Sequence, residues 1–296
     1  LTDYIESTLD ISYIFKLIIA DILSLSVAGS ILSRFCRECD NGGIDMHPIS
    51  ILQLQMHHKY VASVAICKNR LLLKLKTFGA LHMARPLIQI ALDSLDFNQT
   101  VGLADQVAPY VDIFEIGTPC IKYNGVNLVK ELKQRFPDKL LLVDLKTMDA
   151  GEYEAGAFYA AGADIVTVLG VSGLATIGGV IKAAKKHGAE VQVDLINVDD
   201  KAFVAKESVK LGAQIVGIHT GLDAQAAGQT PFADLQDIAA LGLNVRISVA
   251  GGIKQSTVQQ VVASGATIIV VGAAIYGAPS PAEAAREIRE LVDAAV

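Results

Sequence analysis

Beyond residue 86 the chain alternates short apolar, β-branched runs with amphipathic stretches that end in glycine, and this alternation restricts the fold more than any other feature. Runs that are apolar throughout are the mark of parallel strands covered by helices. Strands are expected at 87–93, 111–117, 140–146, 164–170, 190–197, 214–221, 244–252 and 267–272. Helical patterns lie between them, as at 126–136, 153–161, 177–187, 202–211, 232–241 and 256–264. Gly162, Gly188, Gly212, Gly242 and Gly265 stand where a helix closes on a left-handed residue, which glycine adopts without a Cβ clash. Eight β/α units in so short a span fit a closed (β/α)₈ TIM barrel better than an open doubly wound sheet, and no Gly-x-Gly-x-x-Gly follows the first strand.

Residues 1–82 differ. They begin with Leu1, hold little glycine or alanine and show no strand and helix alternation. The barrel is therefore assigned to 83–296, with Met83 as a natural start. Residues 1–82 become an atypical N-terminal extension, either upstream read-through or a helical or disordered leader. Cys36-Arg37-Glu38-Cys39 has metal-knuckle spacing and is followed by His47, His57 and His58, but a second matching ligand pair is missing, so no zinc site is assigned. The apolar run 11–32 carries Lys16 and Asp21 and falls short of a membrane span. It also lacks the basic start and cleavage site of a signal peptide. A net charge of −6 without a Lys/Arg block argues against a nucleic-acid partner. Four cysteines without framework spacing fit a reducing compartment. A cytoplasmic protein with no membrane partner is expected.

In such a barrel the groups at the C-terminal strand ends converge on one site. Strand one ends in Asp93, strand two carries Glu115, strand three ends in Asp144-Leu145-Lys146 and strand six in His219. Alternation puts Asp144 and Lys146 on one face and Val143 and Leu145 on the other, so both charges can enter the barrel mouth. Asp149 follows in the loop. Any one of these could be an ordinary solvated strand end, but several from separate strands point to chemistry. Four acids around one lysine repel unless a cation joins them, and carboxylate oxygens are the hard ligands that Mg²⁺ takes. His219, in Gly217-Ile218-His219-Thr220-Gly221, is a candidate acid or base.

Strand seven ends in Ala250-Gly251-Gly252 and strand eight in Gly272-Ala273-Ala274-Ile275. Barrels often hold phosphate between these two loops, where backbone N–H groups approach the anion closely. Gly251, Gly252, Gly272 and Ala273 are therefore assigned to bind the phosphate of a small sugar phosphate.

Together with Gln89-Ile90-Ala91-Leu92-Asp93, Phe114-Glu115-Ile116-Gly117-Thr118-Pro119 and His219-Thr220-Gly221-Leu222-Asp223-Ala224-Gln225-Ala226-Ala227-Gly228, the run Asp144-Leu145-Lys146-Thr147-Met148-Asp149 gives 83–296 its resemblance to a known family. It resembles the orotidine 5′-monophosphate decarboxylase suprafamily, whose mark is Asp-x-Lys-x-x-Asp at the end of strand three. The metal-free orotidine decarboxylases carry Lys where this chain has Glu115. The 3-keto-L-gulonate 6-phosphate decarboxylases typically carry Arg where this chain has Ala273 and Thr220. Both departures favour the branch that joins formaldehyde to D-ribulose 5-phosphate.

The resemblance implies Mg²⁺, with Mn²⁺ as a substitute, held by Glu115 and Asp144 together with the substrate. It implies that Asp93 and Lys146 line the pocket, and a homodimer in which Asp149 reaches the neighbouring subunit's site. The expected reaction is a reversible aldol condensation giving D-arabino-3-hexulose 6-phosphate. His219 would take the C1 proton and Lys146 would protonate the new alkoxide, roles that could be exchanged, while Asp93 and Asp149 position Lys146 and the sugar hydroxyls. Decarboxylation of a keto-gulonate phosphate and non-catalytic binding of a sugar phosphate are the alternatives. A ribulose-phosphate epimerase would need several metal-binding histidines at strand ends, and only His219 qualifies.

Overall fold

The computed structural model describes residues 85–296. The extension, its Cys36 and Cys39 pair and the boundary at Met83 lie outside the described residues. Eight parallel strands, β1 (Leu87–Leu92), β2 (Ile113–Ile116), β3 (Leu140–Thr147), β4 (Ile165–Leu169), β5 (Glu190–Asp194), β6 (Ile215–His219), β7 (Arg246–Ala250) and β8 (Ile268–Val271), follow one another around a closed barrel. Leu87 pairs with Ile268 where β1 meets β8. The expected TIM barrel is the fold found.

Helices α1 (Phe97–Val107), α2 (Thr118–Asn124), α3 (Val126–Arg135), α4 (Gly151–Ala160), α5 (Leu174–His187), α6 (Lys201–Leu211), α7 (Leu222–Ala226), α8 (Phe232–Ala240), α9 (Val258–Ala263), α10 (Ala273–Tyr276) and α11 (Pro281–Asp293) connect the strands and close the chain. Asp96 opens α1 by accepting from Gln99 N at 2.8 Å, and Asp200 opens α6 by accepting from Phe203 N at 2.9 Å. Each satisfies one of the free N–H groups of a first turn. At the other ends, the five glycines expected as helix stops all have positive φ, from 60° at Gly242 to 110° at Gly162.

Alternation along the strands builds two cores. Outward residues such as Ile88, Ile90, Phe114, Val143, Val166 and Val216 are buried against the helices, and each such side chain stabilises the fold by about 1.5–3 kcal/mol. Inward residues Ile113, Leu142, Ile165, Ile215 and Ile268 form a separate buried cluster, with Leu87 and Leu140 packed on it. This apolar plug fills the N-terminal half of the barrel. One pleat nearer the mouth, the same inward face turns polar, with Glu115, Asp144 and Thr167 following Ile113, Leu142 and Ile165.

Strand five is shorter than the expected 190–197. Asp194 Oδ1 accepts from Ile196 N at 2.9 Å and Asn197 takes a φ of 57°, so the chain turns immediately after Asp194. Among the described residues no helix is long and apolar enough to cross a membrane.

Candidate active site

Asp144 is the most constrained polar group of the barrel mouth. It is buried, with Oδ2 accepting from Thr118 Oγ1 at 2.6 Å and Oδ1 from Thr167 Oγ1 at 2.7 Å. Lys146 Nζ completes its shell at 2.9 Å from Oδ2. The lysine arrives there by an unusual backbone. The β3–β4 register shifts between Val143 and Thr147, and Lys146 has a φ of 49°. A non-glycine residue in the left-handed region costs free energy, and such strain gathers at functional sites. Here Lys146 N donates to Thr167 Oγ1 at 3.0 Å, which holds the strained turn in place.

The structure adds Asp194, at the end of β5, to the expected group. Asp194 Oδ2 lies 2.9 Å from Lys146 Nζ and 3.0 Å from His219 Nδ1, so one buried carboxylate joins the lysine of β3 to the histidine of β6. The expected strand end at 197 hid it, although Glu190, Gln192 and Asp194 alternate on one face and mark that wall as polar. Burial pulls Lys146 down, but the charges of Asp144 and Asp194 outweigh it and hold the ammonium well above the usual lysine range. Burial likewise disfavours charged His219, yet the hydrogen bond and charge of Asp194 leave it above the usual histidine value. Burial would raise Asp194 itself, but His219 and Lys146 together keep it below the usual carboxylate range. Because a carboxylate only accepts, Nδ1 carries the proton of the His219–Asp194 bond and Nε2 is left as the basic nitrogen.

Glu115 stands beside this group on β2, its Oε2 accepting from Gln89 Nε2 at 2.7 Å. Burial, and then the charge of Asp144, push its carboxyl up to about 8. Asp93 is more open to solvent, and burial followed by the Asp144 charge raises it as well. Its carboxylate lies over Gly117, where a Cβ would fall 2.0 Å from Asp93 Oδ1, so a side chain at that point would displace the carboxylate. Half-buried Glu115 and buried Asp144, on adjacent strands, could together serve a hard divalent cation, whose charge would let both ionise. Among the described residues no three His, Cys, Asp or Glu side chains form a ready metal cluster, so such an ion needs oxygens from the substrate or water as well.

The glycine turns stand at the same end of the barrel. Gly251 has a φ of 120°, and a Cβ there would fall 2.7 Å from Thr220 O. Gln225 Nε2 donates to that same carbonyl at 2.7 Å, tying the loop after β6 to the loop after β7. Gly252 follows with a φ of 67°. Gly272 precedes Ala273 at the start of α10, and a Cβ there would stand 3.6 Å from Ala91 Cβ and 3.9 Å from Asp93 Oδ2. Of the four expected phosphate-site positions, Gly272 and Ala273 thus lie beside Asp93, and Gly251 and Gly252 lie beside the loop after β6.

Asp93, Glu115, Asp144, Lys146 and His219 come together as expected, and Asp149 does not join them within the chain. Asp149 is exposed, and its Oδ1 accepts from Ala150 N at 2.7 Å. Within the chain Lys146 is held by Asp144 and Asp194, the carboxylates that two strand ends aim inward.

Residues 86–288 match the family model described as Orotidine 5′-phosphate decarboxylase / HUMPS family. The chain is 65% identical over 205 residues to the 3-hexulose-6-phosphate synthase of Methylomonas aminofaciens, covering 69% of this chain and 98% of that protein. The solved 3-hexulose-6-phosphate synthase of Salmonella typhimurium matches with a TM-score of 0.69 and 40% identity, over 71% of this chain and 100% of that one. KGPDC of Streptococcus mutans, solved as a ligand complex, matches with a TM-score of 0.67 and 29% identity, over 71% of this chain and 98% of that one.

Proposed function

Because the chain belongs to the orotidine 5′-phosphate decarboxylase / HUMPS family, we propose that it condenses formaldehyde with D-ribulose 5-phosphate, reversibly, to give D-arabino-3-hexulose 6-phosphate. The proposed catalytic unit is 83–296, in the cytoplasm. The observation that carries the proposal is the Asp194 bridge between Lys146 and His219, which pairs a fixed cation with a base of raised basicity. The strong likeness to a 3-hexulose-6-phosphate synthase and the weaker one to KGPDC favour condensation over decarboxylation. Ala273 and Thr220, in place of the arginines of the decarboxylases, favour it too.

The sugar phosphate is placed with its phosphate against the amides of Gly251, Gly252, Gly272 and Ala273, and its C1 end at His219. His219 Nε2 takes the C1 proton, while Asp194 fixes the tautomer and stabilises the imidazolium that forms. Lys146 remains an ammonium and gives the developing enediolate a fixed positive neighbour, so His219 serves as base and Lys146 as the acid for the new alkoxide. Glu115 and Asp144 would hold Mg²⁺, or Mn²⁺ in its place, and that ion supplies Lewis-acid charge neutralisation when bound. Asp93 faces the sugar hydroxyls.

A homodimer is proposed as the working form, with Asp149 contributed to the partner's site. Met148 is 55% exposed and Tyr153 is 89% exposed, one on each side of Asp149, and a second copy of the chain would cover this apolar surface. The test of the proposed reaction is consumption of D-ribulose 5-phosphate with Mg²⁺, with and without formaldehyde, run beside CO₂ release from 3-keto-L-gulonate 6-phosphate. Formaldehyde-dependent consumption well above any decarboxylation is expected. Decarboxylation alone would assign the chain to the other branch.

A further inference from the structure

We propose that Gln192 touches the one-carbon substrate, its side-chain amide donating a hydrogen bond to the aldehyde oxygen as that oxygen becomes an alkoxide. The inference rests on the proposed condensation. Gln192 lies on β5 one pleat below Asp194, paired with Thr167 on β4 and Ile215 on β6. Ile165 and Ile215 beneath it belong to the apolar plug, so Gln192 forms the polar floor of the mouth on this wall.

It is only 7% exposed, and its Oε1 is buried without a hydrogen-bond partner. An unpaired buried amide oxygen costs about 1–3 kcal/mol, which a methionine or leucine would avoid if the side chain only packed, while the place of the donor Nε2 is set by Gly217. Gly217 is shaped to this amide. A Cβ at Gly217 would stand 3.0 Å from Gln192 Nε2 and 3.4 Å from its Cδ. Gly217 has no positive φ, so its backbone does not require glycine, and a glycine inside a strand then marks a close approach. Nε2 is thereby held on the β6 side of the floor, one pleat beneath the Asp194–His219 pair.

A floor this deep suits a very small reactant, since the sugar phosphate is anchored by the loops above β7 and β8. In the step itself, the electron pair at C1 forms the new C–C bond to the aldehyde carbon and the C=O π pair moves onto oxygen. That oxygen accepts from Gln192 Nε2 and takes its proton from Lys146. His219 returns the C1 proton to solvent, from which Lys146 is reprotonated. Gln192 acts only on the second half of the reaction, after the C1 proton has left.

Two rates measured on Gln192→Met test this: condensation with formaldehyde, and exchange of the C1 hydrogen of D-ribulose 5-phosphate in D₂O without formaldehyde. Condensation is expected to fall about 100-fold, as when one oxyanion donor is lost, while exchange stays within about threefold of the parent. Gly217→Ala, which pushes the amide aside, is expected to give the same split to a smaller degree. It decides the matter should Gln192→Met fail to fold. Equal falls in both rates would make Gln192 a sugar contact or a packing residue and overturn the proposal, as would no fall in either. A parent protein with no formaldehyde-dependent turnover would overturn the condensation itself, an outcome read from the parent alone.

Discussion

Replacing Asp194 by asparagine keeps the shape of the side chain and removes the charge that joins His219 to Lys146. A hydrogen bond to a charged group is worth about 1.5–3 kcal/mol, so losing it lowers the imidazole by about 1–2 pH units at roughly 1.36 kcal/mol per unit. A base works only when deprotonated. The acid limb of kcat/KM against pH should therefore move to lower pH by that amount. The plateau should fall at the same time, because asparagine can hold the wrong tautomer and Lys146 keeps only Asp144 as a partner. A loss of about 10²–10⁴-fold is expected, the usual range for a disabled general base. The profile is measured from the rate of ribulose 5-phosphate consumption, and His219 is titrated directly by NMR. An unmoved acid limb with a plateau near the parent's would refute the bridge as a catalytic device.

Glu115 has a folded value of about 8 against an ordinary 4.5, so the folded state keeps a proton that the unfolded chain releases. Its contribution to stability is therefore full below pH 4.5 and is lost as pH rises through about 8. Added Mg²⁺ should offset that loss, raising Tm more at high pH than at low pH, and Glu115→Gln should abolish the difference; an equal rise at every pH would count against Glu115 as a ligand. Mixing inactive Asp149→Ala and His219→Ala subunits should restore activity to about a quarter of the sites, because half the dimers are mixed and one site in each is intact. No recovery on mixing would confine each site to one chain. Gly251→Ala would put a methyl group 2.7 Å from Thr220 O at a φ of 120°. It should cost at least about 1–3 kcal/mol in a denaturant melt and raise KM for the sugar phosphate, and an unchanged KM would remove this turn from the phosphate site.

Most of the barrel could be read from the sequence because its two hydrophobic periods are strong. Uninterrupted apolar runs and glycine stops placed all eight strands, with β1, β3, β4 and β8 differing from expectation by a single residue at each changed end and the other four by up to two or three. Asp93, Glu115, Asp144 and His219 were visible for the same reason, each breaking an apolar run. Asp194 was not, since Leu195 and Ile196 continue the apolar pattern past the true strand end, and only the Asp194–Ile196 turn reveals where the strand stops. The left-handed backbone at Lys146 was hidden too, because alternation alone already predicted the right face for its side chain. Which acids hold the lysine depends on strand register across the barrel, and local periodicity carries no record of that. Asp149 shows the opposite limit. Its place in the motif is plain, but among the described residues its side chain accepts a hydrogen bond from Ala150 N rather than from Lys146.

The proposed reaction makes a carbon–carbon bond, so the most direct measurement follows that bond. With ¹³C-labelled formaldehyde, D-ribulose 5-phosphate and Mg²⁺, a ¹³C signal is expected to move into C1 of a hexulose phosphate whose carbonyl is at C3. His219→Ala and Asp194→Asn are expected to slow this transfer strongly. Ribulose 5-phosphate left unchanged, with the label remaining in free formaldehyde, would contradict the proposed reaction.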